Sequence, residues 1–234
     1  MKSWIALGMG CLLAGHAAAA TVPTPKDVAS CAAAIAEQRY CIETDASGFP
    51  INVRFFIVVD KETYPTVEGL LEKYLAFDQW PAYTETVGSD AIVFNKSARL
   101  SDLTAADGSL IARHYYDYKM KSPIGYQKVR GLSHNQRLAT PYTGALGTIE
   151  FVAQTSGPQE VPAGEKPLNG VEGVKMQTGN INAIECVNNE LCSEDQWLLT
   201  YESSITPAIT LLPKVAASSI EAGLETVLVG MLFN

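Results

Sequence analysis

The spacing of apolar residues changes twice along the 234-residue chain. Apolar residues three and four positions apart predict helices on either side of a first strand, up to residue 81. Alternation of apolar and polar residues then dominates from residue 91 to 204, and helical spacing returns between Pro207 and Asn234. We therefore predict an α+β fold in which a strand and a helix precede roughly six or seven antiparallel strands and one long C-terminal helix.

The first part of the chain contains two predicted helices and one strand. Thr24-Pro25 caps a helix over residues 26–39. Residues 51–60 are apolar on both faces at their centre, which is typical of a strand covered on both sides. A second helix starts at Tyr64-Pro65-Thr66, and we expect Trp80-Pro81 to stop it.

Alternating segments and turn residues outline the sheet. Asp107-Gly108 and Gly179-Asn180 are predicted hairpin turns. Residues 155–170 contain many Gly and Pro residues and predict a long surface loop that could be mobile. The predicted strands cover residues 91–100, 109–120, 125–133, 147–154, 172–177, 180–186 and 196–204.

The C-terminal helix has one apolar side and one polar side. Glu221 and Glu225 interrupt it, which makes it a poor membrane span and favours a position against a sheet. Ala216 and Gly223, on or near the apolar side, either allow close approach of the sheet or leave room for a bound molecule. The apolar positions are Leu212, Ala216, Ile220, Leu224, Val227 and Leu228, and the polar positions are Lys214, Ser218, Glu221 and Glu225.

The N-terminus resembles a secretory signal peptide. Lys2 precedes an apolar stretch, and small residues up to Ala20 predict cleavage before Thr21. We expect residues 1–20 to be the signal peptide, 21–50 a helical flank and 51–234 a single domain, secreted to the periplasm. The net charge of −8 argues against a nucleic-acid partner, and we expect no stable membrane insertion after cleavage.

Four cysteines remain in the predicted mature chain, and disulfides are expected in an oxidising compartment. Cys186 and Cys192 flank an Asn-rich turn and are predicted to pair. Cys31 and Cys41 then pair by elimination, but an unbroken helix would hold them about 15 Å apart. Either the helix ends early or the pairing is crossed. Zinc is the rival interpretation, but the Cys spacing fits no zinc motif, and we predict neither a metal nor a cofactor.

The order of elements resembles the START-like, or polyketide cyclase-like, helix-grip superfamily (SRPBCC). In that superfamily a curved antiparallel sheet wraps around a long C-terminal helix. The superfamily has no catalytic signature shared by all members, so the resemblance carries over no functional residue. The local match is Leu70-Leu71-Glu72-Lys73-Tyr74-Leu75-Ala76-Phe77-Asp78-Gln79-Trp80-Pro81-Ala82-Tyr83.

The strand over residues 109–120 provides the candidate site. Ala112, His114, Tyr116, Tyr118 and Met120 share one face, which we expect to turn towards the C-terminal helix. Ile149, Phe151 and Ala153 from an earlier strand, and Trp197, Leu199 and Tyr201 from the last one, are expected to join them. We expect the other face, with Arg113, Tyr115, Asp117, Lys119 and Lys121, to be exposed. The predicted ligand-binding residues are His114, Tyr116, Tyr118, Phe151, Trp197, Tyr201, Ile220 and Leu224.

Three functions follow from these features. The first is a periplasmic binding or carrier protein for a hydrophobic or amphiphilic small molecule, held between the sheet and the C-terminal helix. The second is an enzyme of the cyclase or hydrolase type with His114 in acid–base catalysis, although no partner residue or catalytic motif accompanies it. The third is a non-catalytic envelope scaffold whose core is filled.

Overall fold

The computed structural model describes residues 20–154, 161–168, 174–208 and 211–233. The predicted signal peptide lies outside these residues except for Ala20, as do parts of the predicted loop 155–170 and of the strand 172–177. The helices are α1 (Val28–Gln38), α2 (Val67–Leu75), α3 (Trp80–Val87) and α4 (Pro213–Phe233). The strands are β1 (Tyr40–Asp45), β2 (Ile51–Asp60), β3 (Ile92–Arg99), β4 (Leu103–Thr104), β5 (Leu110–Ser122), β6 (Gly125–Arg137), β7 (Gly147–Gln154), β8 (Val174–Glu185) and β9 (Gln196–Pro207).

The strands form one curved antiparallel sheet around α4. Its order is β1-β2-β9-β8-β7-β6-β5-β3, and β4 pairs with β5. The inner face packs against α2, α3 and α4, and the main hydrophobic core lies between these layers. The predicted α+β architecture, a curved sheet wrapped around a C-terminal helix with a helix at the N-terminus, is confirmed.

Strand β2 is buried on both faces, as the sequence predicts. Phe55 and Ile57 face the main core, whereas Phe56 and Val58 lie in a second cluster with Ile35 of α1. The helix α1 therefore covers the outer face of β2. The four named residues of β2 are fully or almost fully buried.

The chain reverses direction immediately after α1. The helix begins later than predicted, with Asp27 as its N-cap, and it ends at Gln38. Arg39 adopts a left-handed backbone conformation (φ 74°), which turns the chain into β1, a strand that the sequence did not predict. This early end brings Cys31 and Cys41 into a disulfide with a Cα–Cα distance of 5.4 Å. Of the two alternatives, the helix therefore ends early, and the disulfide pairing is not crossed.

The second disulfide joins Cys186 to Cys192, as predicted, with a Cα–Cα distance of 5.6 Å. It closes the connection between β8 and β9.

Trp80-Pro81 begins a helix instead of ending one, so that part of the prediction is wrong. The helix α2 already ends at Leu75, and a 3-10 turn over Phe77–Gln79 leads directly into α3. Pro81 stands in the first turn of α3, where the missing N–H group has no helical acceptor to lose.

The hairpin predicted at Gly179-Asn180 is also wrong. Both residues lie inside β8, where Gly179 pairs with Phe151 of β7 and with Ser203 of β9. A Cβ atom on Gly179 would overlap the Phe151 ring and the Glu202 carbonyl. The glycine therefore serves close packing across the strands, and no turn forms.

The outer face of β5 is covered, contrary to the prediction. Arg113, Tyr115 and Asp117 are buried, and only Lys119 and Lys121 are exposed. The described part of the predicted surface loop, residues 161–168, packs there: Leu168 contacts the cluster of Tyr115 and Leu132. Alternation alone cannot show this cover because it comes from a segment distant in sequence.

The helix α4 is long and apolar enough to cross a membrane, with a mean hydropathy of 1.4 over its best window. However, 61% of that window is buried inside the protein, so α4 is the central helix that the sheet surrounds. Leu212 was predicted on its apolar side, but it precedes the helix and is 74% exposed.

Candidate functional site

A cavity of about 120 Å³ lies between α4 and the inner face of the sheet. Ala216, Ile220, Gly223 and Leu224 of α4 form one wall together with Val227 and Leu228 of its C-terminal half. Side chains from β3, β5, β6, β7, β8 and β9 form the opposite wall. The two small residues singled out in α4 thus both border the cavity. At Gly223 a Cβ atom would lie 3.7 Å from Met120 Sδ, an ordinary contact, so this glycine leaves space unfilled.

Seven of the eight predicted site residues line the cavity, although their role in ligand binding stays a prediction. These are His114, Tyr116, Tyr118, Phe151, Tyr201, Ile220 and Leu224. Trp197 lies elsewhere: its indole N–H donates to the Tyr64 carbonyl at 2.7 Å, and Lys61 Nζ lies 4.4 Å from its ring centre. Ile149 and Leu199 pack in the main core, away from the cavity.

His114 is held in an aromatic environment. Its ring stacks on Phe77, with 4.2 Å between ring centres, and contacts the edge of Trp80 at 4.7 Å. Ser97 Oγ donates to the Phe77 carbonyl at 2.5 Å and lies 2.8 Å from His114 Nε2. Because the single hydroxyl hydrogen of Ser97 is already used, Nε2–H must donate to Ser97 Oγ.

Burial lowers the pKa of His114 from 6.5 to about 3. The imidazole is therefore neutral at physiological pH. The polar partner that the structure gives it is the Ser97 hydroxyl, and no carboxylate among the described residues bonds to it.

Tyr116 borders the cavity, but its hydroxyl is buried against Gly131. Its side chain is 6% exposed, and its hydroxyl has no hydrogen-bond partner among the described residues. The ring lies over Gly131, the residue directly opposite on β6, where a Cβ atom would overlap it. Burial raises the pKa of Tyr116 well above 10, so the hydroxyl stays protonated.

Tyr118 and Tyr201 extend the polar part of the wall. Gln177 Nε2 donates to the Tyr201 hydroxyl at 2.8 Å, and the Tyr201 ring stacks on Phe151 at 5.4 Å between ring centres. Burial raises the pKa of Tyr201 to about 12 and that of Tyr118 further above its usual value. These two hydroxyls are also protonated and uncharged.

Sequence reasoning missed several residues of the cavity wall, among them Trp80, Phe94 and Gln177. Trp80 closes it from α3, and its indole N–H donates to the Tyr74 carbonyl at 3.0 Å. Phe94 of β3 contacts both Trp80 and Tyr118. The alternation of Ile92 and Phe94 in β3 is a signal that could have identified Phe94. Gln177 was not identified because the predicted hairpin at Gly179-Asn180, which does not form, divided β8 into two short strands.

The lining is electrically neutral. None of the described residues that border the cavity is Asp, Glu, Lys or Arg. Nor does the described part of the chain contain a group of three or more His, Cys, Asp or Glu residues that could hold a metal ion.

The two halves of α4 are attached differently. In the C-terminal half, Tyr40 donates to Glu225, Tyr64 donates to the Leu232 carbonyl at 3.0 Å, and Thr226 bonds to Ser89 at 3.0 Å. A Cβ atom on Gly230 would overlap the Tyr83 carbonyl, so α3 and α4 also touch closely here. The described hydrogen bonds of residues 213–224 stay within α4 and its preceding turn.

Comparisons with known proteins yield similar folds only. No protein-family model and no curated protein matches the chain. A STAR-related lipid transfer protein from Xanthomonas axonopodis is 15% identical, with 84% of this chain and 93% of that chain covered and a TM-score of 0.49. Human STARD10 is 13% identical, with 91% and 82% covered and a TM-score of 0.47.

A third similar structure is the lipid transfer and protein localization domain of human StarD13. It is 13% identical, with 84% of each chain covered and a TM-score of 0.45. The order of its elements and the wrapping of its sheet around α4 give the chain a helix-grip architecture.

Proposed function

We propose that the protein is an exported binding or carrier protein that holds a hydrophobic or amphiphilic small molecule between its sheet and α4. The observation that carries this proposal is the apolar cavity between α4 and the inner face of the sheet. A solid interior, as expected of a scaffold, would fill this space. Burying apolar ligand surface here contributes roughly 25 cal/mol per Å² to binding.

Two features support export to the periplasm. The N-terminal sequence has the pattern of a secretory signal peptide. The four cysteines of the expected mature chain form two disulfides, which persist in oxidising compartments.

Ligand entry is proposed to occur at the N-terminal half of α4. Residues 213–224 border the cavity but make no described hydrogen bond to the sheet. The C-terminal half, in contrast, is held by Glu225, Thr226 and Leu232. Movement of the N-terminal half away from the sheet would open the cavity while α4 stays anchored.

Acid–base catalysis by His114 has less support. Its pKa of about 3 makes the imidazole a weak base near neutral pH, and a ring stacked on Phe77 and in edge contact with Trp80 has little freedom to reach a reacting group.

Native mass spectrometry of the protein isolated from its own periplasm tests the proposed function. We expect a bound small molecule that is released on denaturation. In the Gly223→Leu variant the new side chain occupies the cavity, so the bound molecule should be lost while the fold persists. Ser218→Leu, at an exposed position of the same helix, is the matched control and should retain it. Absence of any small molecule from the wild-type protein, with no binding of added amphiphiles, would refute the proposal.

A further inference from the structure

A second cavity, of about 350 Å³, lies on the outer face of the sheet, and we call it the outer groove. It is bordered by β1, β2, β9 and β8 and by Lys26, which precedes α1. Arg54 shows which face this is, because its neighbours Val53 and Phe55 in β2 pack in the inner clusters. Apart from Gly179, every described residue that borders the outer groove has a polar or charged side chain.

The strand register sets these side chains in two rows. Glu43, Arg54, Glu202 and Asn180 stand directly opposite one another on β1, β2, β9 and β8. Neighbouring Cβ atoms in such a row are about 4.5–5.5 Å apart, so one small molecule can contact several of them together. The second row consists of Asp45, Asn52, Ser204 and Thr178.

Arg54 and Glu202 form an ion pair within the first row. Arg54 Nε donates to Glu202 Oε1 at 2.8 Å, and the two side chains are 34% and 35% exposed. The terminal nitrogens of Arg54 and the second carboxylate oxygen of Glu202 have no hydrogen-bond partner among the described residues. The pair therefore offers donors and an acceptor side by side, while its two charges offset each other.

Asn180 adds a nearly buried donor to the same row. The residue is 9% exposed, its Oδ1 accepts from Asn182 Nδ2 at 2.8 Å, and Asn182 Oδ1 accepts from Thr148 Oγ1 at 2.8 Å. These bonds fix the orientation of both amides and leave Asn180 Nδ2 without a partner among the described residues. Unlike the Tyr116 hydroxyl, this nitrogen is not fully enclosed by protein, and its residue borders the outer groove. A donor in this position is stabilised by an acceptor on a ligand.

A ligand for the outer groove should accept a hydrogen bond from Asn180 and donate one to Glu202. A hydroxyl group does both, and adjacent hydroxyls of one molecule serve both residues at the same time. The described lining has two cationic and three anionic side chains, which gives a singly charged ligand no strong advantage. The volume of about 350 Å³ lies within the roughly 300–1,000 Å³ of small-molecule sites.

We propose that the outer groove is a second binding site, for a neutral polyhydroxylated molecule of the sugar class. A free sugar and the sugar units of a glycan present the same hydroxyl groups. The site does not depend on the proposed carrier function, because the sheet separates it from the apolar cavity.

Amide-shift titrations with glucose, maltohexaose and L-serine test the proposal. Both saccharides should shift the signals of Asn180, Glu202 and Ser204 and leave that of Ile220 in the apolar cavity unchanged. Tighter binding of maltohexaose would identify a glycan as the ligand, and equal binding would identify a free sugar; either result supports the proposal. Shifts with L-serine alone would indicate a zwitterion site. That result, or shifts with none of the probes, would overturn the proposal.

Asn180→Asp replaces the unpartnered NH₂ group with an oxygen and keeps the acceptor for Asn182. We expect the affinity for the saccharides to fall at least about tenfold. Asn188→Asp, which adds the same charge in the exposed turn between β8 and β9, is the matched control and should bind like the wild-type protein. Thermal unfolding verifies that each variant is folded. An unchanged affinity in Asn180→Asp would overturn the proposal.

Two further variants locate the bound sugar. Ser204→Leu fills the outer groove without altering the bonds of Asn182, and it should abolish saccharide binding. Gly223→Leu fills the apolar cavity instead and should leave saccharide binding intact. Binding that survives Ser204→Leu, or that is lost in folded Gly223→Leu, would place the sugar elsewhere and overturn the proposal.

Discussion

Tyr116 on β5 lies directly opposite Gly131 on β6, and its ring covers the glycine at a distance that leaves no room for a side chain. Phe151 on β7 covers Gly179 on β8 in the same way. The absence of a side chain on each glycine lets an aromatic ring lie flat on the neighbouring strand. Two parts of the sheet wall of the cavity therefore depend on two glycines that do not border the cavity themselves.

Gly131→Ala should push the Tyr116 ring into the cavity. We expect a loss of about 1–3 kcal/mol in the free energy of unfolding, as for other overpacked sites, measured by urea denaturation. The same substitution in a Tyr116→Ala background should cost much less because the overlap is gone. Equal costs in the two backgrounds would contradict this close contact.

The two glycines of α4 should respond to alanine with opposite signs. At Gly223 a methyl group fits beside Met120, so Gly223→Ala should stabilise the protein by about 0.4–1 kcal/mol through the lower entropy of the unfolded chain. At Gly230 it would overlap the Tyr83 carbonyl, and Gly230→Ala should destabilise by about 1–3 kcal/mol. If both variants shifted the urea midpoint in the same direction, the described packing of α4 at Gly223 and Gly230 would be wrong.

His114 should make folding stability depend on pH. Its pKa is about 3 in the folded protein and near 6.5 in the unfolded chain, so between these values the unfolded chain binds more protons. Stability should therefore fall as pH drops from 6.5 towards 3, by about 1.4 kcal/mol per pH unit.

Urea denaturation at a series of pH values measures this dependence. His114→Phe keeps a ring against Phe77 and should show a flatter profile. His134, whose pKa burial also lowers, would account for part of the slope that remains. A profile as steep as that of the wild-type protein would exclude His114 as the source.

The two halves of α4 should differ in amide hydrogen exchange. Residues 216–222 should exchange faster than residues 226–232, because only the latter half is anchored by Tyr64 and Ser89. Tyr64→Phe should raise the exchange rates of the C-terminal half. Equal protection of both halves in the wild-type protein would argue against entry at the N-terminal half.

The disulfide between Cys31 and Cys41 should stabilise the fold by limiting the unfolded chain. Its removal in Cys31→Ala/Cys41→Ala should lower the free energy of unfolding by about 2–3 kcal/mol and loosen α1. The disulfide between Cys186 and Cys192 closes a shorter loop. Its removal in Cys186→Ala/Cys192→Ala should therefore lower the free energy of unfolding somewhat less. The comparison is a thermal unfolding measurement without reductant.

Most elements could be predicted because their cause is local. The centre of β2 is apolar on both faces, and apolar and polar residues alternate in β5. Both patterns depend on neighbouring residues only, and each corresponds to an observed strand. The five predicted site residues on strands reach the cavity because alternation fixes which face of a strand a residue occupies, and helical spacing does the same for Ile220 and Leu224 of α4. Trp197 shows the limit of this rule: it shares the inner face of β9 with Tyr201 but lies too far along the strand, beside Tyr64.

The errors have causes that no local pattern contains. Gly179-Asn180 is a residue pair typical of turns. In the structure, however, the Phe151 ring from the neighbouring strand occupies the space where a side chain of Gly179 would lie. Tyr115 alternates as an exposed residue would, and Leu168, more than fifty positions away in the chain, covers it. Trp80-Pro81 is compatible with either end of a helix. In the structure the pair starts α3, and Trp80 packs there on Phe77 and His114.

By itself the sequence determined most of the strands, the position of α4 against the sheet and the inward direction of His114, Tyr116 and Tyr118, because periodicity reflects which residues must leave water. Only the tertiary structure decided that these side chains border a cavity. Whether space remains depends on the fit of distant surfaces, here the open contact at Gly223 and the close ones at Gly131 and Gly230. The unpartnered hydroxyl of Tyr116, buried against Gly131, is a result of that fit.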